Sequence, residues 1–267
     1  MAQNVVFTNR IAENYEKYMA PMFFAPYAVD IAARLQSAGI TSLLEIACGT
    51  GQVTRLLRAR LPEARIVATD LNPGMLDTAK QIIDPADKIE RLTADAQNLP
   101  FDNNSFDAVI CTFGMMFMPD KQKAVSEVYR VLKPGGRFLF NTWDALDTNP
   151  ASKIVSEVIA SYFDDFSFNF YNIPFGMCDS SEIEALLSST GFNNIKVERV
   201  YCAGCSATAE NGAIALIEGT PAYLAICEHD ENLIPNIRKT ATEALEKEFG
   251  SVDLNIPNSA LVAEGVK

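Results

Sequence analysis

Length, composition and charge limit the class of protein before any motif is considered. The chain has 267 residues, of which 48% are hydrophobic and 21% are charged, an ordinary balance for a folded protein with a sizeable core. Its 22 basic and 34 acidic residues give a net charge of −12, and no run of basic residues occurs. Such a surface repels nucleic-acid phosphates, so we expect no nucleic-acid partner.

The sequence shows no pattern of secretion, membrane insertion or metal binding. Residues 1–10 lack a basic segment followed by a long apolar stretch, and the longest apolar run, 108–118, is too short to span a bilayer. Cys202 and Cys205 have CxxC spacing, but zinc would need two further ligands and His229 is the only histidine. We therefore expect ordinary thiols, no metal and a cytoplasmic location.

Strand-like and helix-like patterns alternate between residues 42 and 143. The predicted strands are 42–47, 65–70, 89–94, 106–112 and 137–143, and the helices between them include 52–60, one that opens at Asn72, and 119–132. Short connections between alternating strands and helices favour a parallel sheet that is covered on both faces. The predicted fold class is α/β, a doubly wound Rossmann-like sheet.

The chain changes character after residue 145. A segment crowded with aromatic residues, 162–175, is followed by a helix that begins at Ser180 and ends at Gly191. A strand at 194–201, mostly helical residues over 207–250 and a last strand at 259–266 complete the pattern. We expect N-terminal helices over 1–40, a core over 41–145, an aromatic-rich lid and helix over 146–192, and the final strands with a helical insertion over 193–267.

A glycine-rich turn follows the first predicted strand. It begins at Glu45 and contains Ala47, Gly49 and Gly51 ahead of the helix at 52–60. Glycines at such a turn let the backbone pass close to a ligand, because a β-carbon would fill the space. NAD-binding folds carry a similar turn, so further markers must choose between cofactors.

Three more markers follow in chain order. Asp70 ends the second strand about 25 residues after the glutamate, a spacing typical of a carboxylate that accepts hydrogen bonds from ribose hydroxyls. The stretch 71–76 (LNPGML) comes next, then 95–109 (DAQNLPFDNNSFDAV), and 132–137 (LKPGGR) leads into the fifth strand.

These motifs resemble the class I S-adenosylmethionine-dependent methyltransferases of the ubiquinone/menaquinone-biosynthesis type, whereas a dehydrogenase explains none of the later markers. The resemblance implies S-adenosylmethionine as cofactor, S-adenosylhomocysteine as product, and a seventh strand inserted antiparallel between the fifth and the sixth. It also implies a set of cofactor-binding residues: Glu45, Ala47, Gly49 and Gly51 in the turn, Asp70 at the ribose, Leu71 and Met75 beside it, Asp95 and Ala96 at the adenine, Thr112 after the fourth strand, and Tyr15 in a leading helix.

Several roles stay open at this point. Glu45 either binds the cofactor amino group through water or caps backbone amides, and Asp107 is interpreted as a turn or capping residue. His229 is a candidate general base, although its charged neighbours favour an exposed loop. Asp164 and Asp165 either attract a cationic amine or are solvated acids.

The acceptor also stays open. The chain lacks the Asn/Asp-Pro-Pro-Tyr/Phe and Pro-Cys motifs of nucleic-acid methylation, so we expect a small, apolar or aromatic acceptor methylated at oxygen, nitrogen or carbon. Residues 115–118 either line its pocket or belong to the core, and the aromatic segment is a lid, the interface of a homodimer, or core. The alternative function is a non-catalytic protein that binds S-adenosylmethionine or S-adenosylhomocysteine and acts through a partner interface.

Overall fold

A central sheet of seven strands organises the protein, in a computed structural model that describes residues 9–35, 39–163 and 170–267. The strands are β1 (Ser42–Ile46), β2 (Arg65–Asp70), β3 (Glu90–Thr93), β4 (Phe106–Thr112), β5 (Leu132–Trp143), β6 (Asn193–Thr208) and β7 (Val252–Val266). Their order is β3-β2-β1-β4-β5-β7-β6, and neighbours are parallel except that β7 is antiparallel to β5 and β6. The predicted fold class and the antiparallel insertion of the last strand are confirmed.

The strand order reverses at β1, and this reversal positions the site. β2 and β3 lie outward from one side of β1, whereas β4 and β5 lie outward from the other. In doubly wound sheets, ligands bind in the crevice outside the carboxyl ends of the strands at such a reversal. The loops that follow β1, β2 and β4 therefore meet at one crevice.

Helices cover both faces of the sheet. The α-helices in the described residues are α1 (Asn9–Asn14), α2 (Ala25–Arg34), α3 (Gln52–Arg60), α4 (Pro73–Ile82), α5 (Lys121–Val131), α6 (Pro150–Ala160), α7 (Ser180–Thr190), α8 (Ala209–Glu218), α9 (Ala222–Asp230) and α10 (Ile234–Phe249). Apolar residues of α2, α3 and α4 form one buried cluster, and those of α5 to α10 belong to a larger one. Leu43 of β1 belongs to the first cluster and Leu44 to the second, because successive side chains of a strand point to opposite faces.

Strands β6 and β7 are longer than the sequence predicted, and the predicted ends at 201 and 259 were wrong. Their pairing continues until Thr208 lies opposite Val252. Gly204 and Pro257 interrupt the alternating pattern within this extension, which is why it does not look like a strand in the sequence. The N-terminal segment covers the extension, since a β-carbon added at Gly204 would lie 1.6 Å from the carbonyl oxygen of Met22.

The described part of the aromatic segment joins the helical insertion to the end of β5. The hydroxyl of Tyr171 donates a hydrogen bond of 3.0 Å to the carbonyl of Leu216 in α8. The ring of Phe175 lies 6.2 Å from that of Trp143. Residues 164–169 of the segment lie outside the described residues, and they include Asp164, Asp165, Phe166 and Phe168.

The cysteines are all free thiols, with Cys202 partly buried and Cys205 exposed on β6. Within residues 9–35, 39–163 and 170–267, no group of three or more metal-binding side chains comes together. No helix among these residues has the length and apolar character needed to cross a membrane.

Candidate cofactor and acceptor site

The glycine turn joins β1 to α3 at the crevice. Its backbone φ angles are positive at Ala47 (52°), Gly49 (57°) and Gly51 (83°). A β-carbon added at Gly49 would meet no atom within 4 Å, so a ligand has room to approach the backbone there. A β-carbon at Gly51 would lie 2.7 Å from Cδ1 of Ile83, so this glycine allows α3 to pack closely on the residue that follows α4.

Ala47 has the left-handed backbone conformation that glycine adopts most easily. This conformation costs an alanine about 1–2 kcal/mol. The β-carbon of Ala47 faces Gly114 in the loop after β4, where an added β-carbon would lie 2.5 Å from it and 2.8 Å from Sγ of Cys111. The loops after β1 and β4 therefore fit together only because residue 114 has no side chain.

The variant Gly114→Ala is expected to lower the free energy of unfolding by about 1–3 kcal/mol, because its methyl group would overlap Ala47 and Cys111. Adding Ala47→Gly should recover part of this loss, since it removes one of the two overlaps and the left-handed strain. Chemical denaturation of the single and double variants measures the coupling. Strictly additive effects would show that the two loops are not matched in this way.

Asp70 lies at the end of β2 with its carboxylate held by the backbone. One oxygen accepts a hydrogen bond from the amide of Gly49 (2.9 Å), and the other accepts one from the amide of Asn72 (2.8 Å). Burial raises the pKa of Asp70 above its ordinary value, although the amides of Asn72, Gly49 and Leu71 lower it. The carboxylate is thereby oriented before any ligand arrives, with lone pairs left for further donors.

The residues around Asp70 provide an apolar surface beside this acid. The side chain of Leu71 is 63% exposed, so it is available to pack on a ligand ring. Met75 is buried in α4, and Ala96 is partly buried against the larger cluster. Asp95 accepts a hydrogen bond of 2.8 Å from the amide of Gln97, which shapes the loop after β3.

Glu45 is buried beneath the turn. Only 1% of it is exposed, and one carboxyl oxygen accepts a hydrogen bond of 2.6 Å from the hydroxyl of Thr54 in α3. Burial raises the pKa of Glu45 to about 8; the negative charge of Asp70 acts in the same direction, and the bond from Thr54 opposes both. The role of Glu45 that the structure describes is to join β1 to α3.

Tyr15 lies in an unusual segment, Tyr15–Phe24, which forms a π-helix between α1 and α2. Its ring stacks on that of Phe24 at 4.9 Å. Burial raises the pKa of Tyr15, and the negative charges of Glu16 and Asp70 act in the same direction. The next residue, Glu16, accepts a hydrogen bond from Thr50 of the glycine turn, so the segment that carries Tyr15 lies beside the crevice.

Glu16 is a residue of the site that sequence reasoning missed. Its carboxylate accepts hydrogen bonds from the hydroxyl of Thr50 (2.7 Å) and from the side-chain amide of Gln52 (2.5 Å). Arg55 of α3 lies 3.9 Å from the same carboxylate. No local signal distinguishes such an acid from the many solvated ones of an acidic protein, so only the fold could reveal it.

An aromatic cluster lies at the carboxyl ends of β4 and β5, next to the turn. The rings of Phe113 and Trp143 are stacked at 4.0 Å, and both contact Phe24 and Tyr27 at 5.2–5.8 Å. Phe113 and Trp143 are only 6% and 5% exposed, so the cluster is shielded from water. Met115, Met116 and Met118 are buried with it, which places them in the core.

Two buried polar groups face each other across β4 and β5. Thr112 and Asn141 are paired in the register of the two strands. The amide of Phe113 donates a hydrogen bond of 2.9 Å to Oδ1 of Asn141. Neither Oγ1 of Thr112 nor Nδ2 of Asn141 has a hydrogen-bond partner within the described residues. A buried group of this kind usually meets a water molecule or a ligand.

His229 lies in the last turn of α9, where it is exposed. Its ring packs edge-on against Phe163, with centroids 4.9 Å apart. This histidine thus belongs to the helical insertion, and its suggested role as a general base stays a prediction.

The fold and the site together define a class of protein, a Rossmann-like domain whose glycine turn, acid and apolar neighbour suit an adenosyl cofactor. A family profile described as a methyltransferase domain matches residues 44–140. A ubiquinone/menaquinone biosynthesis C-methyltransferase of Idiomarina loihiensis is 32% identical over 183 residues, which cover 60% of this chain and 70% of that protein. The chain belongs to the class I S-adenosylmethionine-dependent methyltransferase family that includes this relative.

Other curated relatives match a shorter part of the chain. A ubiquinone/menaquinone biosynthesis C-methyltransferase of Hahella chejuensis is 36% identical over 132 residues, 48% of this chain and 50% of that protein. A demethylmenaquinone methyltransferase of Clavibacter sepedonicus is 41% identical over 97 residues, 36% of this chain and 39% of that protein. The chain thus spans about half the length, or less, of these relatives.

Solved structures show the same fold at low sequence identity. A phosphoethanolamine N-methyltransferase 2 of Haemonchus contortus, in complex with S-adenosyl-L-methionine, matches 97% of this chain and 57% of its own with a TM-score of 0.62 and 22% identity. The [4+2]-cyclase SpnF matches 90% of this chain and 80% of its own with a TM-score of 0.55 and 17% identity. Because the two proteins are named for different reactions, the likeness supports the architecture alone.

Proposed function

We propose that this protein transfers a methyl group from S-adenosylmethionine to a ring carbon of a small, apolar, quinol-type acceptor. The observation that carries the proposal is the stacked pair of Phe113 and Trp143 at the ends of β4 and β5. This pair adjoins the glycine turn, because Gly114 contacts Ala47. Aromatic side chains recognise planar rings through offset-stacked and edge-on contacts, so the cluster suits an aromatic acceptor better than a polar one.

The described residues fit the proposed cofactor. Gly49 leaves the turn open to close approach, Asp70 is oriented to accept ribose hydroxyls, and the exposed Leu71 offers an apolar surface to the adenine. Met75, Asp95 and Ala96 would complete the adenine side, with Thr112 and Tyr15 near the reacting end. Two relatives are named as C-methyltransferases of quinone biosynthesis, which supports carbon methylation of a quinol-type ring by this chain.

Methyl transfer requires no covalent intermediate with the protein. When bound, S-adenosylmethionine supplies an activated methyl group on a positively charged sulfur. Phe113 and Trp143 would form the buried apolar wall against which the acceptor ring lies, and exclusion of water from that wall would raise the rate by positioning. In this reaction the ring carbon would gain the methyl group, the electron pair of the broken carbon–sulfur bond would remain on sulfur, and the ring proton would pass to water.

A direct assay tests the proposal. Purified protein would be incubated with labelled S-adenosylmethionine and a reduced quinol that has one unsubstituted ring carbon. The matched compound carries a methyl group at that carbon and keeps both hydroxyls. We expect the label only on the first compound, at carbon. Equal labelling of both compounds would show oxygen methylation, and cofactor binding without turnover on any acceptor would favour the alternative of a non-catalytic protein.

The variant Phe113→Leu tests whether the cluster binds the acceptor. We expect it to lower kcat/KM by about tenfold through lost ring contacts, while its affinity for S-adenosylhomocysteine stays close to that of the wild type. Phe192→Leu is the matched control, since Phe192 is equally buried. It packs on Phe138 and Tyr129 near the start of β6, at the end of the sheet opposite to the crevice. Equal losses in both variants would mean that Phe113 acts through stability alone.

A further inference from the structure

The π-helix Tyr15–Phe24, here named the strap, links the two halves of the site. It runs for ten residues and contains Pro21. π-Helical turns are rare, usually single, and frequent at functional sites. One end of the strap contacts the glycine turn, and the other end packs on the aromatic cluster.

The first end of the strap is held by one charged side chain. Glu16 accepts hydrogen bonds from Thr50 and Gln52, both at the start of α3. The amino end of a helix favours a carboxylate, because its amide groups and dipole are positive there. Thr50 is 1% exposed and the side chain of Glu16 is 26% exposed, so the contact is partly buried. We name it the latch.

The second end is fixed by the backbone. The carbonyl oxygen of Met22 accepts a hydrogen bond of 3.1 Å from Nδ2 of Asn258 in β7. Gly204 of β6 lies so close to the same oxygen that a β-carbon would overlap it. Phe23 packs on Trp143 with ring centroids 5.8 Å apart. Any movement of this end would break these contacts.

Tyr15 lies in the first half of the strap, where its ring stacks on that of Phe24. The neighbouring Glu16 accepts a hydrogen bond from Thr50, and the amide of Gly49, the residue before Thr50, donates one to Asp70. The first half of the strap therefore lies beside the part of the crevice that holds Asp70, the acid proposed to bind the ribose. The second half is anchored at Met22.

We propose that Glu16 is the latch of a hinged strap, and that breaking its contacts with Thr50 and Gln52 limits the rate at which the cofactor binds and leaves. Residues 15–20 turn about the anchored Met22, and the aromatic cluster stays covered meanwhile. The inference rests on the proposed function for the identity of the ligand. Glu16 is a positioning residue, since it acts through the strap and not on the reacting atoms.

Ligand exchange is the first test. In Glu16→Ala we expect both the association and the dissociation rates of S-adenosylhomocysteine to rise on the order of tenfold, the factor expected when hydrogen bonds to a charged group are lost. The Kd should change by less than about threefold, because the proposal places Glu16 in contact with Thr50 and Gln52 and not with the cofactor. Glu13→Ala, an exposed acid of α1, is the control and should keep wild-type rates.

A second set of variants separates the latch from a loss of folding. Thr50→Val removes one partner of Glu16, and Glu16→Gln keeps the shape of the side chain but removes its charge. We expect both to accelerate exchange, and Thr50→Val combined with Glu16→Ala to be no faster than Glu16→Ala alone. Fully additive effects, or rates unchanged in Glu16→Ala, would overturn the proposal. If Glu16→Ala does not fold, Glu16→Gln and Thr50→Val carry the same test.

Two measurements without ligand keep this inference separate from the proposed function. Trypsin cleavage at the exposed Lys17 of the strap should be on the order of tenfold faster in Glu16→Ala, because cleavage follows the open population. Iodide quenching of Trp143, the only tryptophan, should stay as in the wild type. Unchanged cleavage, or increased quenching, would overturn the hinge. Failure of the wild type to bind S-adenosylhomocysteine would refute the proposed function. The rates of cleavage at Lys17 in the wild type and in Glu16→Ala would still show whether Glu16 holds the strap in place.

Discussion

The variant Asp70→Asn is expected to bind S-adenosylhomocysteine about ten- to a hundredfold more weakly than the wild type, which corresponds to the loss of hydrogen bonds to a charged group. Asp70 already accepts bonds from the amides of Gly49 and Asn72, so its carboxylate is fixed in place at no further entropic cost when a ribose arrives. Asparagine keeps one acceptor oxygen for the turn but turns a donor toward the ribose hydroxyls.

Calorimetric titration of both proteins measures this effect, and Asp77→Asn is the matched control. Asp77 is an exposed acid on α4, close in sequence to Asp70, and its replacement changes the net charge equally. The control should bind like the wild type. An equal loss in the two variants would assign the effect to overall charge, and undiminished binding by Asp70→Asn would remove Asp70 from the site.

The second large effect concerns stability. Asp107→Asn is expected to lower the free energy of unfolding by about 2 kcal/mol, because one carboxylate accepts five hydrogen bonds at the amino end of β4. One oxygen accepts from the backbone amides and hydroxyls of Thr41 and Ser42, and the other accepts from Nζ of Lys133 at 2.7 Å. The interpretation of Asp107 as a capping residue agrees with this geometry. The carboxylate of Asp107 thereby connects β1 and β5 to β4, the strand between them.

The same group predicts a dependence on pH. Lys133, Ser42 and Thr41 hold the pKa of Asp107 well below its usual range, against the opposing effect of burial. Because the folded pKa is lowered, the stabilisation is complete above the unfolded pKa of about 3.9 and is lost as the pH falls through the folded value. The difference between the wild type and Asp107→Asn should be constant above about pH 5 and shrink below about pH 4.

Urea denaturation at a series of pH values measures this difference, with Asp102→Asn as the control. Asp102 is an exposed acid in the loop before β4, so its replacement should leave stability almost unchanged. A difference that persisted undiminished at the lowest pH would show that the charge of Asp107 is not what joins the strands.

Elements with strong local signals were predicted almost to the residue. The bounds of β2, β4 and α3 agree with the sequence pattern, because each is short, apolar or amphipathic, and ends at a turn. The helix α7 ends at Gly191 as expected, where a φ of 108° suits glycine. Gly49, Asp70 and Leu71, which we propose bind the cofactor, lie together because the carboxyl ends of neighbouring parallel strands share one edge.

Features that depend on distant packing were not predicted. The extension of β6 and β7 contains Gly204 and Pro257, which weaken the strand pattern locally but fit a segment covered by Met22. The stacked pair of Phe113 and Trp143 comes from two strands and is closed by Phe24, so no single stretch of sequence displays it.

The sequence by itself determined the family and the cofactor class, and the resemblance to that family implied that the last strand lies between the fifth and the sixth. The glycine turn after a buried strand is a backbone requirement that neighbouring residues impose within a few positions. Only the tertiary structure decided what covers the crevice. Glu16 and Thr50 are 34 positions apart, and the π-helical backbone and the anchor of Met22 arise when the N-terminal segment packs on the finished sheet. Glu16 and Thr50 meet only because the folded chain brings them together, so no local sequence pattern reveals their contact.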